Sequence, residues 1–180
     1  MTLDLTQNYF KLFALKTEFE VDSSALSHAF LSLQGQWHPD RFASGSDEER
    51  RISIQNTSFI NTAHTTLTTP RLRARYLLEL SAVSFNDEIE TSRDPVFLMQ
   101  QMEVRESIED VVDEAEPLDA LDEIKADVKQ QAQQLEQHFQ QYYADNRLEE
   151  AKDVVLKMRF MERIFSEIRR LEEKLEDDYF

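Results

Sequence analysis

Apolar side chains recur at intervals of three and four residues along most of the chain, which is the spacing of one face of an α-helix. In the first half this pattern predicts four helices, over about 9–13, 23–37, 47–69 and 71–80. Asp22 is a cap for the second helix, and Ser46 with Glu49 forms a capping box for the third. The second helix carries one apolar stripe: Leu26, Phe30, Leu33 and Trp37.

The second half predicts three longer helices, over about 95–115, 118–144 and 147–178. Asp94 and Pro95 form an N-cap followed by a proline at the first helical position. Tight turns at Pro117 and at Asp145-Asn146 join the three helices into an antiparallel three-helix bundle. The predicted fold class is therefore all-α.

Composition supports the helical assignment and divides the chain by charge. Only 2 glycines and 4 prolines occur in 180 residues, so few positions favour a break in a helix. Residues 1–80 carry 8 Lys or Arg against 9 Asp or Glu, whereas residues 81–180 carry 12 against 27. We predict two domains with different partners: one over 1–80, a linker over 81–94, and the bundle over 95–180.

The net charge of −16 repels phosphate backbones and anionic lipid headgroups, so we expect neither a nucleic-acid nor a membrane-surface role. No segment approaches the roughly 20 apolar residues of a membrane-spanning helix. The start of the chain fits neither a secretory signal nor an Arg-rich transit peptide. We therefore expect a cytoplasmic protein, or a mature form that has already been processed.

Catalytic chemistry has few candidate residues. The chain has no cysteine, which excludes a thiol nucleophile, a disulfide and a thiolate-held metal or cluster. Its two glycines, Gly35 and Gly45, cannot form a glycine-rich phosphate loop. No two histidines have the i, i+3 or i, i+4 spacing of helical metal ligands. We expect no enzymatic activity, no catalytic residue, no metal site and no cofactor.

One tripeptide, His38-Pro39-Asp40, lies at the turn between two amphipathic helices. A proline pushes the residue before it out of the α region, so the first of these helices ends at Trp37-His38. Pro39 fixes its own φ, and the carboxylate of Asp40 can accept charge-assisted hydrogen bonds from an arginine of a partner. The alternative is an ordinary inter-helix turn in which Asp40 is a cap.

The surroundings of the tripeptide resemble a J-domain over residues 8–80. The order of the helices and the capping box carry the resemblance, together with a set of later residues: Asn61, Ala63, Leu67, Pro70, Arg73, Ala74 and Tyr76. Three segments further resemble the HscB family of J-domain co-chaperones: PRLRARYLLEL (70–80), FLMQQMEVRE (97–106) and KMRFMERI (157–164). The resemblance covers nearly the whole chain.

The resemblance implies a protein that is not itself an enzyme. It implies that the chain stimulates the ATPase of an HscA-type chaperone and delivers to it an IscU-type iron–sulfur scaffold protein. His38, Pro39 and Asp40, with the neighbouring Arg41, are then the chaperone-binding residues. Because the chain lacks the cysteines of the zinc-ribbon extension found in some eukaryotic members, we expect a bacterial-type member.

Helical angles indicate a second binding surface on the 95–115 helix. At about 100° per residue from Phe97, the residues Val104, Ile108 and Val111 form the core stripe. An apolar group with an acidic rim lies about 100° to 200° away, on the side facing water, and such patches commonly bind partners. The resemblance implies that these positions, with one on the last helix, bind the scaffold: Leu98, Met99, Met102, Glu103, Glu106, Asp110 and Phe160. Alternatively, neighbouring helices bury Leu98 and Phe160.

Two charge features affect these expectations. Residues 81–124 contain 14 acidic and 2 basic residues, which either steer a partner toward the Leu98 patch or serve solubility alone. The helix over 23–37 has no Lys or Arg, although J-domains similar to this one usually carry basic residues there. We therefore expect chaperone docking that is weaker or less sensitive to salt than is usual in the family.

Two other functions remain as alternatives. The first is a J-domain adaptor for a general DnaK-type chaperone with another client, or a helical adaptor unrelated to cluster assembly. The second is a metal-dependent hydrolase centred on His38 and Asp40, which requires further ligands that the sequence does not present.

Overall fold

The structure is a computed structural model that describes residues 3–87 and 89–179. Every regular element in these residues is helical, and the helices fall into two compact units that divide after Ser81. The α-helices are α1 (Tyr9–Leu12), α2 (Ser23–Trp37), α3 (Asp47–Thr68), α4 (Pro70–Leu80), α5 (Pro95–Asp110), α6 (Pro117–Ala144) and α7 (Leu148–Tyr179). Two short 3-10 helices cover Pro39–Phe42 and Val111–Asp113.

The predicted caps are confirmed. The Asp22 carboxylate accepts the backbone N–H groups of Ser24 and Ala25, which satisfies two of the free donors at the start of α2. At α3 the capping box is complete, because Ser46 and Glu49 each accept the other's backbone N–H. The hydrogen bonds from the backbone and side chain of Ser46 lower the pKa of Glu49. The helix starts are thus specified by local residues.

In the first unit α3 is the central element, since α1, α2 and α4 all contact it. Tyr76 joins α4 to α1, because its hydroxyl accepts the backbone N–H of Tyr9 at 3.0 Å and the two rings stack at 4.4 Å. Burial of apolar side chains between these helices stabilises the unit. The fully buried residues are Phe10, Ile60, Ala63, Leu67, Ala74, Leu77 and Leu78.

The predicted stripe of α2 is only partly core. Leu26 is buried, but Phe30, Leu33 and Trp37 keep part of their surface in water. The reason is that α2 packs mainly against one helix, α3, which covers only part of the width of the stripe.

In the second unit α6 and α7 form a long antiparallel hairpin, and α5 contacts both. The hairpin turns at Asp145-Asn146 as predicted, and Asn146 adopts φ 56°, a left-handed conformation that asparagine tolerates well. The apolar stripes of both helices meet in the core, where the residues at or below 1% exposure include Leu121, Val128, Phe139, Val155, Ile164 and Ile168.

The predicted 95–115 helix is too long at its C-terminal end. α5 ends at Asp110. The 3-10 helix Val111–Asp113 follows it directly, and the backbone at Glu114 is extended. Two features disfavour a longer helix. Five carboxylates, at positions 109, 110, 113, 114 and 116, lie near the negative end of the helix dipole. Pro117 also disfavours the α conformation at Glu116.

The boundary also differs from the predicted 81–94 linker, because residues 82–94 belong to the second unit. Asp87 and Ser92 in this segment are buried. The Lys152 ammonium on α7 lies 2.7 Å from the Glu90 carboxylate, and Arg159 donates to the backbone carbonyl of Asp87. Acidic residues and carbonyls of the segment therefore pair with cations of α7, and this pairing holds it against the bundle.

Two contacts fix the start of α5 on α7. The Asp94 carboxylate caps α5 and also accepts a hydrogen bond from Lys157 at 2.7 Å, and these bonds lower the pKa of Asp94. The Phe97 and Phe160 rings pack edge to face, with centroids 5.8 Å apart. Aromatic pairs of this geometry contribute beyond the area they bury.

The pKa of His64 on α3 gives a prediction for the first unit. Its ring stacks on Phe30 with centroids 3.9 Å apart, and burial lowers its pKa below the ordinary 6.5. The unfolded chain then binds the proton more tightly, so this residue makes stability fall as the pH drops below about 6.5 and through the folded pKa. We expect His64→Gln to reduce the loss of melting temperature between about pH 7.5 and pH 5.5. Fluorescence of Trp37, the only tryptophan, reports this unit.

The matched control for that prediction is His28→Gln, which changes an exposed histidine on α2. It should leave the wild-type pH dependence unchanged. An equal loss of melting temperature in wild type and His64→Gln would contradict the assignment.

The aromatic pair gives a prediction for the second unit. Phe160→Ala removes the edge contact with Phe97 and leaves a gap beside a buried ring, so we expect a loss of about 1–3 kcal/mol in the free energy of unfolding. Met102→Ala, at an exposed position of α5, should change it by less than about 0.5 kcal/mol. Urea denaturation followed by helical circular dichroism measures both; equal values would show that the ring contact does not stabilise the unit.

Candidate functional site

The turn between α2 and α3 is held by its own residues. α2 ends at Trp37, and His38 has φ −56° and ψ 130°, outside the helical region, as expected before a proline. Pro39 then opens the short 3-10 helix, where its lack of an N–H leaves no donor unsatisfied. The His38 Nδ1 accepts the backbone N–H of Asp40 at 3.3 Å, so the imidazole itself caps this helix.

The last carbonyls of α2 are satisfied by side chains from outside the helix. Two hydroxyls of α3, from Ser53 and Thr57, donate to the Trp37 carbonyl, each at 2.8 Å. Arg41 reaches back and donates to the Gly35 carbonyl at 2.6 Å. The end of α2 is thereby tied both to α3 and to the turn that follows it. Sequence reasoning missed Ser53 and Thr57; their i, i+4 spacing on the inner face of α3 was the available signal.

The tied turn presents its functional groups to water. The Trp37 and Phe42 rings stack beneath it at 6.1 Å, while the side chain of Asp40 is 89% exposed and that of His38 is 52% exposed. The Asp40 carboxylate lies 3.6 Å from the His38 Nδ1 and is open to a partner on its other side. The structure thus brings His38, Pro39 and Asp40 together on one rigid turn.

Two arginines near this turn form hydrogen bonds with backbone carbonyls around it. Arg41 bonds the Gly35 carbonyl, and Arg50 donates to the carbonyls of Ala43 and Gly45 while pairing with Asp47. α2 contributes no charge, because none of its residues over 23–37 is Asp, Glu, Lys or Arg. The Asp40 carboxylate is the acidic group of the 3-10 helix, and Arg41 beside it keeps its positive charge.

The second predicted site lies on α5, on the side away from α6 and α7. Met99 and Met102 are 61% and 64% exposed, and Leu98 is half-buried beside them. We call these residues and their exposed acidic neighbours the α5 surface: Leu98, Met99, Met102, Glu103, Glu106 and Asp110. Val96, which sequence reasoning missed, is also exposed one turn before Met99.

Phe160 takes an intermediate place between the two predicted alternatives. It is half-buried, because its ring contacts Phe97 in the core while a smaller part of its surface stays accessible. The guanidinium of Arg163 lies 5.9 Å from the centroid of its ring. Phe160 thus belongs both to the packing of α5 on α7 and to the accessible surface of α7.

No group of three or more His, Asp or Glu side chains in residues 3–87 and 89–179 is arranged to hold a metal ion. In the same part of the chain, no helix is both long enough and apolar enough to cross a membrane.

Comparison with known proteins gives consistent matches along the chain. Residues 93–169 match the family model described as the HSCB C-terminal oligomerisation domain. A co-chaperone protein HscB homolog of Photobacterium profundum is 41% identical over 174 residues, which cover 94% of this chain and 99% of the relative. The homolog of Aliivibrio salmonicida is 38% identical over 168 residues, covering 93% and 98%.

Solved structures agree with these matches. The chaperone HscB from Vibrio cholerae is 37% identical with a TM-score of 0.85, over 94% of this chain and 99% of that one. The human co-chaperone protein HscB is 30% identical, also with a TM-score of 0.85, over 96% and 85%. These matches confirm the predicted all-α fold with an N-terminal J-domain and a C-terminal helical bundle. The chain belongs to the HscB family of co-chaperones.

Proposed function

We propose that this chain stimulates the ATPase of an HscA-type chaperone and delivers to it an IscU-type iron–sulfur scaffold protein, so assisting cluster assembly and transfer. The chain performs no chemistry itself, because hydrolysis takes place on the chaperone. The observation that carries the proposal is the pairing of two exposed features in separate units. One is the Asp40 carboxylate on a tied turn, and the other is the pair of exposed methionines on α5.

The His38-Pro39-Asp40 turn suits recognition by a cationic partner. An exposed carboxylate can accept two hydrogen bonds from one arginine of the chaperone, and such charge-assisted bonds are stronger than neutral ones. Because His38, Pro39 and the bonds to α2 already fix the backbone, docking loses little conformational entropy at the turn. Arg41, which caps α2, acts here by positioning the turn.

The α5 surface suits a client with an apolar contact region. Methionine side chains are flexible and polarizable, so they adapt to the shape of a partner. Glu103, Glu106 and Asp110 surround them and favour a client that carries basic residues at the edge of the contact. Burial of Met99, Met102 and the accessible part of Phe160 supplies the affinity, and the carboxylates mainly increase the rate of association.

The first test is Asp40→Asn in single-turnover ATP hydrolysis by the HscA-type chaperone. The amide cannot replace a carboxylate in a bidentate pair with arginine, so we expect stimulation to fall by about thirtyfold or more. Scaffold binding and helical circular dichroism should stay at wild-type values. Glu48→Gln, which removes an exposed carboxylate of α3 outside the turn, is the matched control and should stimulate normally. Full stimulation by Asp40→Asn would refute the proposed docking mode.

The second test replaces Met99 and Met102 together by alanine. Both side chains are exposed, so the melting temperature should not change, while scaffold binding measured by calorimetry should weaken about 10-fold to 100-fold. Val112→Ala, another exposed apolar residue that lies outside the α5 surface, should bind normally.

Adding the scaffold to the ATPase assay separates the proposal from its alternative. Synergistic stimulation by this chain and the scaffold supports delivery of the scaffold. Stimulation without synergy would instead favour a J-domain adaptor with another client.

A further inference from the structure

Ile89 is the most exposed large apolar residue in the described part of the chain, at 82%. It lies in a tight turn in which the backbone N–H groups of Ile89 and Glu90 both donate to the Asn86 carbonyl, at 3.1 and 2.8 Å. The Glu90 carboxylate closes the turn by accepting the backbone N–H of Asn86 at 2.9 Å. Hydrogen bonds to Asn86 therefore hold the backbone at Ile89 and Glu90, and the side chain of Ile89 extends into water.

The same turn is anchored to α7. Lys152 pairs with the Glu90 carboxylate at 2.7 Å, and Arg159 donates to the carbonyl of Asp87, which is itself buried. With both sides of the turn bound to α7, the segment cannot rotate to bury Ile89 without losing these bonds. The turn hydrogen bonds use only the backbone of residue 89, so a polar side chain would form the same turn. The turn therefore does not explain why an exposed isoleucine occurs there.

A groove of about 590 Å³ lies beside Ile89. Its walls come from the 89–93 segment and from the N-terminal half of α7, including Arg93, Glu149 and Leu156. Leu156 contributes an apolar patch and is mostly buried. The groove thus combines the exposed Ile89 and a small accessible part of Leu156 with a lining that is otherwise polar or charged, with both signs present.

The groove lies on the same face of α7 as Phe160. Glu149, Asp153, Leu156 and Phe160 follow the spacing i, i+4, i+7 and i+11, which places them along one side of a helix. Leu156 is one turn from Phe160, or about 6 Å along the axis. Phe160 is itself part of the proposed client site, so this face of α7 leads from that site to the groove.

We infer that the scaffold protein bound at the α5 surface extends along this face of α7 and seats an apolar side chain against Ile89 and Leu156. This inference rests on the proposed function, because it adds a second contact region to the client-binding site proposed above. The occupant is the client because the groove continues that site, and a client that crosses Phe160 reaches Ile89 without leaving α7. The two regions then share one client, and Ile89 contributes to its affinity.

The first experiment measures binding of the purified apo scaffold protein to Ile89→Asp by calorimetry. A carboxylate placed in an apolar contact should weaken binding about tenfold or more. Ile54→Asp is the matched control, because Ile54 is also exposed, at 60%, but lies on α3 in the other unit; it should bind normally. Both variants should keep the wild-type melting temperature. Unchanged affinity in Ile89→Asp would overturn the inference.

The absence of cysteine allows a second experiment that does not depend on affinity. Ile89→Cys and Ile54→Cys each introduce a single thiol, whose alkylation by iodoacetamide is followed by mass spectrometry of this chain. Saturating scaffold should slow alkylation at position 89 several-fold and leave position 54 unaffected. Equal rates at position 89 with and without scaffold would overturn the inference. Protection that grows with the concentration of this chain alone would place a second copy on the groove and would also overturn it.

The two proposals fail in different ways. Loss of binding in the Met99 and Met102 double variant, together with normal binding and no protection at position 89, overturns only the inference. No binding of the scaffold to the wild-type chain, or normal binding by the double variant, overturns the client assignment in the proposed function. Weaker binding in both the double variant and Ile89→Asp, with protection at position 89, supports the extended site.

Discussion

The J-domain depends on how the C-terminal end of α2 is completed. A helix leaves its last carbonyls without partners, and a proline immediately after the helix removes the chance of continuing it. Here Ser53 and Thr57 satisfy the Trp37 carbonyl and Arg41 satisfies that of Gly35. These bonds fix the position of the turn relative to α3. The exposed Asp40 carboxylate is consequently held in place before any partner arrives.

The second unit uses ion pairs for the same purpose. Three cations of α7 hold the chain that enters α5: Lys152 binds Glu90, Lys157 binds Asp94, and Arg159 binds the carbonyl of Asp87. The Lys157 ammonium lies beside the Phe97 ring, which packs against Phe160. An ion pair and an aromatic contact therefore hold the same end of α5 on α7. The face of α5 that carries the exposed methionines is thereby oriented by bonds on its opposite, buried side.

Local signals in the sequence predicted the helices and the turn, because caps and prolines act within a few residues. Asp22, the Ser46 and Glu49 box and Pro39 each determine a helix end directly. The bonds of Ser53 and Thr57 to α2 were missed, because their i, i+4 spacing indicates only a shared face and their acceptor depends on the register of α3 against α2. The packing of the 81–94 segment could not be predicted for a similar reason: Glu90 and Asp94 pair with Lys152 and Lys157 of α7, which lie about 60 residues later in the sequence. Helical angles predicted that Met99 and Met102 face water, as they do in the structure, but left Phe160 undecided, because its burial depends on Phe97.

The distribution of charge gives the two units different modes of recognition. The first unit is nearly neutral, and α2 beside the His-Pro-Asp turn carries no charged residue, so attraction at long range is weak and Asp40 must act at contact distance. The second unit carries nearly all of the net charge of −16, and its carboxylates surround the exposed methionines. A basic client would therefore be attracted to the second unit before contact, and its capture is the step that salt should weaken. In the proposed function, docking of the chaperone would depend instead on the preformed geometry of one turn, so the two binding events would respond to different physical variables.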